Sequence, residues 1–387
     1  MKHNFCQVSK IALLAVTAMM CGVSTMNAQA SLSKSEAEQA KDSIAKGWLT
    51  EMREKYIDDW NTSVVKANGR TMRYWENRYG KMPKGGFPLY ISLHGGGSGP
   101  AEMNNQQWDN QKHLYVPENA WYIAPRAPHD DWDMWCKPDL DKFYETLIVM
   151  AQACGNVNPD RIYIMGYSAG GDGVWRMAPR MADRWAAASM MAGHPGDVRL
   201  ENLRNTPFMI WCGALDDAYN RNLEDTKRGV EMDSLQHNDP EGYIHETHIV
   251  DGMAHWMNRV DTAAVSWMAK YTRNPYPKKI VWGQEEVLRP SFYWLTAPTN
   301  EMARGKMVRL QVDGNIINIS QCDYSTLTLW LNDDIVDLDK KVKVVYKGKT
   351  LYNALAPRTA ENLRSTLYDR GDLRYSFPAK IQVKIKK

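Results

Sequence analysis

A serine stands between glycines in Arg161-Ile-Tyr-Ile-Met-Gly166-Tyr-Ser168-Ala-Gly170-Gly171, directly after a short apolar run. A helix-compatible stretch follows from Asp172. Strand, glycine-flanked serine, then helix is a layout that makes a nucleophile. The serine sits on a tight, strained turn, so its neighbours need minimal side chains and permissive backbone angles. The turn lifts the hydroxyl above the sheet and brings the next helix's N-terminus toward it. A serine hydroxyl is a weak nucleophile alone. It needs a base, and the base needs a third group to orient it. Candidates for both lie downstream. Pro207-Phe-Met-Ile-Trp-Cys-Gly213-Ala-Leu-Asp216-Asp217 reads as a buried strand ending in adjacent carboxylates. His245-Glu-Thr-His248-Ile-Val-Asp-Gly252-Met-Ala-His255-Trp256 reads as a strand, a glycine loop and a histidine. His245 and His248 alternate with their neighbours as strand positions do. Upstream, Pro88-Leu-Tyr-Ile-Ser-Leu-His94-Gly95-Gly96-Gly97 is a strand that ends in a glycine-rich turn.

The order serine, acid, histidine after a strand-borne elbow resembles the α/β-hydrolase superfamily over residues from about 60 to 272. The likeness is to secreted esterases of the polyhydroxybutyrate-depolymerase and feruloyl-esterase type. It implies Ser168 as nucleophile and His255 as general base. Asp216, three residues past Gly213, is implied as the acid, with Asp217 in reserve. It also implies an oxyanion hole built from the backbone N–H groups of Gly95, Gly96 and Ala169. The implied reaction is two-step acyl transfer with no metal and no organic cofactor. These motifs are specific for fold and triad and poorly specific for substrate, because one fold hosts many functions. The wider layout, with a β-rich tail, resembles carbohydrate esterases of polysaccharide-degrading bacteria, some of which act on pectin methyl esters. The expected activity is removal of methyl, acetyl or feruloyl groups from a plant polysaccharide such as pectin. A serine peptidase of the prolyl-oligopeptidase type would share the triad, but usually carries a large N-terminal β-domain that this chain lacks. A catalytically silent binding protein is the third reading, and a complete triad argues against it.

Substrate contacts are expected from loops that follow strands. Trp121 to Trp135 contains Arg126, Trp132 and Trp135 and follows a strand. Tryptophan faces stack on sugar rings, and Arg126 could pair with a uronate carboxylate. The same residues could equally pack and brace the loop. His194, in Ala192-Gly193-His194-Pro195, follows another strand and is a further contact candidate. The expected partner is an esterified polysaccharide or oligosaccharide.

Of 387 residues, 44% are hydrophobic and 24% charged, which suits a water-exposed globular fold. The net formal charge is +3, and Lys2 and Lys10 supply two of these charges. That balance gives no electrostatic case for nucleic acid or for an anionic membrane. Residues 1–30 read as a secretory signal: a charged start, an apolar core from Ile11 to Met20, and an Ala28-Gln29-Ala30 cleavage site. The apolar core is too short to span a bilayer. Cleavage after Ala30 predicts a secreted or periplasmic protein, with lipoprotein processing at Cys21 as the rival. Cys136, Cys154, Cys212 and Cys322 have no paired metal spacing.

The order of elements predicts an α/β fold. Ser33 to about Asp59 reads as a helix, and Val64 to Trp75 as a hairpin about Asn68-Gly69. Strands near 89–93, 121–124, 161–165, 186–192, 207–212 and 243–250 alternate with helical stretches, which indicates a mostly parallel sheet flanked by helices. After Pro275-Tyr-Pro277, short alternating strands with hairpin turns suggest a β-sandwich. The expected domains are 31–274, carrying the catalytic residues, and 275–387, β-rich.

Overall fold

Central strands that are buried at every position, and so covered on both faces, set the architecture. A computed structural model describes residues 31–385. The proposed cleavage site at Ala30 and the rival site at Cys21 lie outside the described residues. A helix α1 (Lys34–Asn61) opens on a reciprocal cap. The Glu36 N–H donates to Ser33 Oγ at 3.3 Å, and the Ser33 N–H donates to Glu36 Oε2 at 2.8 Å. The hairpin follows, β1 (Val64–Ala67) and β2 (Arg70–Arg78). Asn68 and Gly69 both have positive φ, 51° and 71°, as a tight two-residue turn requires.

The strands β3 (Phe87–Leu93), β4 (Trp121–Pro125), β5 (Val157–Tyr167), β6 (Ala187–Met191), β7 (Phe208–Gly213) and β8 (His245–Val250) complete an eight-stranded sheet. Its order is β1-β2-β4-β3-β5-β6-β7-β8. The first two strands pair antiparallel, and β3 to β8 run parallel to one another. Successive side chains on a strand point to opposite faces. Leu89, Ile91 and Leu93 accordingly join one core with Ile162, Ile164 and Ile210. Tyr90 joins a second core with Tyr122, Tyr163 and Met165. The first face is covered by α3 (Leu140–Cys154) and α4 (Ala169–Arg180), and α5 (Arg221–Asn238) adds Met232. The second is covered by α2 (Ala101–Lys112) and α6 (Ala263–Met268). Ser92 falls on the α2 side and is satisfied there, because Gln111 Nε2 donates to its hydroxyl at 2.7 Å.

Nine strands follow residue 275. They are β9 (Lys279–Gly283), β10 (Ser291–Phe292), β11 (Leu295–Thr296), β12 (Met307–Asp313), β13 (Ile316–Cys322), β14 (Thr326–Leu331), β15 (Val342–Tyr346), β16 (Lys349–Ala354) and β17 (Ala379–Lys384). They form a sheet of order β10-β11-β14-β17 and another of order β16-β15-β13-β12-β9. Residues of both sheets share one apolar core. The helix α7 (Ala360–Arg370) interrupts the strand pattern expected there. Its signals are at its ends: the Thr359 hydroxyl accepts from the Asn362 N–H at 3.1 Å, and Gly371 closes it with φ 60°. Leu367 packs with Trp48 of α1, and Tyr368 donates to Glu51 at 2.6 Å.

A buried ionic knot ties the β-rich region to the main sheet. Arg273 is 3% exposed. It donates to Asp372 at 2.7 Å, to Asp160 at 2.9 Å and to the Asp183 carbonyl at 2.9 Å. The described residues make one compact unit. Cys136, Cys154, Cys212 and Cys322 are all free thiols. Among the described residues, no helix is long and apolar enough to cross a membrane.

Candidate active site

The β5–α4 junction holds Ser168 in a rare conformation, φ 59° and ψ −122°. Such angles cost on the order of 1–3 kcal/mol for a residue with a Cβ, so the surroundings must hold it there. They do. The Ser168 N–H donates to the Met191 carbonyl at 2.9 Å, and the Asp172 N–H donates to the Ser168 carbonyl at 3.0 Å to start α4. The helix lies so close to β3 that a Cβ on Gly170 would sit 2.1 Å from the Leu93 carbonyl oxygen. Only glycine fits there.

Three elements deliver three side chains to one point. The Ser168 hydroxyl donates to His255 Nε2 at 2.9 Å. His255 Nδ1–H donates to Asp216 Oδ2 at 2.7 Å. Asp216, beyond the end of β7, is 2% exposed, and Arg221 approaches its other oxygen at 3.8 Å. Asp217 is exposed and takes no part in the chain of hydrogen bonds. His255 sits in the loop after β8. Its carbonyl accepts from the Tyr167 hydroxyl at 2.5 Å, and the Tyr167 hydroxyl oxygen accepts in turn from the Met257 N–H at 3.3 Å. Tyr167 adjoins the nucleophile in sequence, so one residue couples the elbow to the histidine loop. Burial pushes the Tyr167 phenol well above its usual range and keeps it a donor.

The glycine loop after β3 approaches from the other side. A Cβ on Gly95 would lie 3.2 Å from the Ser168 Cβ. Gly96 has φ 107°, and a Cβ there would meet Asn104 Oδ1 at 2.4 Å. Asn104, fully buried on α2, accepts from the Gly97 N–H at 2.8 Å and donates to Asp130 at 2.8 Å. Among the described residues, none accepts from the N–H of Gly95, Gly96 or Ala169. His94 is a fully buried brace. Its Nε2 accepts from the Ala127 N–H at 3.1 Å, so the proton rests on Nδ1, which donates to the Gly95 carbonyl at 2.6 Å. Burial holds its basicity down to about 3, so it stays neutral.

Two substrate-facing expectations are corrected. Trp135 is 1% exposed and presents no face to a ligand. Its Nε1–H donates to the His94 carbonyl at 2.8 Å, and its ring packs edge-on against His94 at 5.1 Å. Arg126 is 7% exposed and committed internally. It donates to Asn105 at 2.9 Å and to the Ala127 carbonyl at 2.7 Å, and pairs with Asp130. Both residues brace the loop that follows β4, because a guanidinium and an indole near a strand end satisfy buried carbonyls as readily as they meet a ligand. Trp132 is 73% exposed and lines a hollow with His194, beside Gly96 and Ala169. Asn104, Tyr167, Tyr219 and Arg221 went unassigned in the sequence. Of these, Arg221 had a local signal, a cation five residues after Asp216 at the start of a helical stretch. The first three carried none.

A cleft of about 800 Å³ opens over Ser168 and His255 and is bordered by Tyr167 and Trp256. A serine, an imidazole oriented by a buried carboxylate, and converging free N–H groups can carry out acyl transfer. No family model matches the chain. Over 181 residues the chain is 26% identical to "Putative esterase NocK" of Nocardia uniformis subsp. tsuyamanensis, an alignment that takes in 42% of this chain. The chain spans about half the length of that curated relative, 52%. Among solved structures, a thermostable esterase matches with TM-score 0.42 and 18% identity over 54% of this chain and 62% of its own. The BES protein from Bacillus cereus matches with TM-score 0.39 and 12% identity, over 53% and 90% of the two chains.

Proposed function

We propose that this protein is a serine esterase of the α/β-hydrolase kind. The hydrogen-bonded chain from Ser168 through His255 to Asp216, at 2.9 and 2.7 Å, carries the reading. The relative described as a putative esterase supports it. His255 Nε2 takes the Ser168 proton as Oγ bonds to the ester carbonyl carbon. The carbonyl oxygen becomes an oxyanion and accepts from the N–H groups of Gly95, Gly96 and Ala169. Asp216 holds the imidazole in the tautomer whose Nε2 is free, and stabilises the imidazolium that forms. The C–O bond to the alcohol breaks, and His255 returns its proton to the leaving oxygen. Water then repeats the sequence on the acyl-serine, releasing the acid and restoring the Ser168 hydroxyl.

The substrate we assign is an esterified plant polysaccharide or oligosaccharide, with methyl, acetyl or feruloyl esters as the candidate bonds. The exposed Trp132 at the edge of the site supports it. We read residues 275–387 as a β-sandwich-like domain, and place the protein outside the cytoplasm on the leader-like pattern of residues 1–30. Turnover of p-nitrophenyl acetate tests the chemistry. The intact protein should hydrolyse it, and Ser168→Ala should lose about 10⁴-fold or more in kcat/KM. An equal rate in a contaminant-free Ser168→Ala protein would end this reading. Incubation with a panel of esterified polysaccharides, and identification of the acid or alcohol released, tests the substrate class.

A further inference from the structure

Behind the triad, an acceptor and a cation face each other without a hydrogen bond. Asp216 Oδ2 accepts from His255 Nδ1–H, whereas Asp216 Oδ1 is buried and meets no donor among the described residues. What approaches Oδ1 is a positive charge, Arg221 Nη1 at 3.8 Å. Arg221 is itself buried, and its Nε–H has neither an acceptor nor contact with solvent. Among the described residues, Asp216 is the carboxylate in ion-pair contact with it. A guanidinium keeps its proton at every working pH. A fixed positive charge therefore lies against the catalytic acid.

The chain is bent to make this contact. After β7 it passes Asp216 and reverses through Tyr219 and Asn220, both left-handed, with φ 58° and 57°. Two adjacent residues with a Cβ in that region are strained, and the surrounding structure must hold them there. The reversal starts α5 at Arg221. The Asn222 N–H donates to the Asp216 carbonyl at 3.0 Å, and Asn222 Nδ2 donates to the Ala214 carbonyl at 2.9 Å. The Tyr219 ring lies 5.0 Å from the guanidinium and backs it. Acid and cation are thus fixed in one tight loop.

The neighbouring groups give the cation a task. Asp225 of α5 is fully buried. The Trp175 Nε1–H donates to its Oδ1 at 3.2 Å, and its Oδ2 meets no donor among the described residues. Burial pushes this carboxyl well above its usual range and favours its neutral form. Burial also pushes up the Asp172 carboxyl of α4, although the His194 N–H donates to it at 2.6 Å. The Tyr167 phenol of β5 and the Cys212 thiol of β7 are pushed up in the same way. These groups surround Asp216 with acids in a dry setting. A carboxylate buried there is costly unless a charge of opposite sign stands beside it.

We propose that Arg221 is a positioning residue of the esterase: its guanidinium is the counter-charge that holds Asp216 in place, with Oδ2 aimed at His255. It acts through the acid rather than on the substrate. The assignment rests on the serine-esterase reading above. Removing a fixed positive charge makes the Asp216–His255 pair easier to protonate, so the acidic limb of the rate profile should move to higher pH.

The test follows kcat/KM for p-nitrophenyl acetate from about pH 5 to about pH 8.5 in the native protein, Arg221→Gln and Arg221→Lys. In Arg221→Gln the acidic limb should move up by about one pH unit, a ten-fold change in proton affinity. Its kcat on the plateau should fall about ten-fold with little change in KM. Arg221→Lys restores a positive charge, and its limb should stay within about 0.3 pH unit of the native one. Arg221→Met, of similar length and with no polar atom left unpaired, replaces Arg221→Gln if that variant does not fold, and the same upward shift is expected. An unmoved limb in the neutral variant, or an equal shift in Arg221→Lys, would show that Arg221 only braces the loop. Either result would overturn the proposal while the esterase reading stands. A native protein that leaves p-nitrophenyl acetate intact would remove both.

Discussion

At the scale of single residues, the adjacent carboxylates separate cleanly. Asp216 is 2% exposed and bonds His255 at 2.7 Å, whereas Asp217 faces solvent. Asp216→Asn keeps the shape but presents an amide to Nδ1, which favours the wrong tautomer. Its kcat should fall about 10⁴-fold. Asp217→Asn should stay within a few-fold of the native rate, since it removes only a solvated charge. Steady-state kinetics on p-nitrophenyl acetate decide this, and the reverse ranking would move the acid to Asp217. Tyr167→Phe isolates the link between elbow and histidine loop. It removes one donor to the His255 carbonyl, and kcat should drop roughly ten-fold with little change in KM. An unchanged kcat would show that packing alone positions the loop.

At the scale of elements, the glycine loop depends on His94, and that dependence has a pH signature. An imidazole in an unfolded chain titrates near about 6.5, whereas burial holds His94 down to about 3. Between these values the unfolded chain binds the extra proton, so stability rises with pH across that window and is lost on acidification. Above about pH 6.5 the contribution is flat. His94→Gln keeps an acceptor for the Ala127 N–H without the titration. Urea midpoints should fall less steeply between pH 6 and 4 in this variant, and parallel slopes would refute the account. Much of this element was legible in the sequence. A positive-φ serine, a glycine on which a Cβ would sit 2.1 Å from a carbonyl oxygen and a two-residue Asn-Gly turn are local backbone demands, and local demands leave residue types behind. Asn104 and Tyr219 were not legible, because an asparagine on a helix and an exposed tyrosine gain meaning only from what folding brings beside them. Trp135 and Arg126 misled for the same reason. The position of a loop after a strand indicates the ligand face, but not which side chains turn inward to satisfy the loop's carbonyls. The helix α7 was hidden because its polar sequence carries helix signals only at Thr359 and Gly371, between strongly alternating strands.

At the scale of the whole molecule, the β-rich region is joined to the site-bearing sheet by charge. Arg273 and Asp372 are 3% and 0% exposed. Removing one partner leaves the other charge buried without compensation. Arg273→Ala should therefore cost about 3–5 kcal/mol in a denaturant melt. A loss below about 1 kcal/mol would show that Arg184 and water take over the pairing. The same region is tied to α4 through Asp197, which pairs with Arg176 at 2.8 Å and with Arg304 at 2.6 Å. All of these arrangements serve one claim, that Ser168 is a nucleophile made reactive by His255 and Asp216. The most direct measurement is intact-protein and peptide mass spectrometry after exposure to a fluorophosphonate, which traps an activated serine through a phosphorus–oxygen bond with loss of fluoride. The account predicts one adduct per chain, placed on Ser168, and none in Ser168→Ala or in His255→Ala at matched times. Adducts on another residue, or equal labelling of the native and His255→Ala proteins, would contradict it.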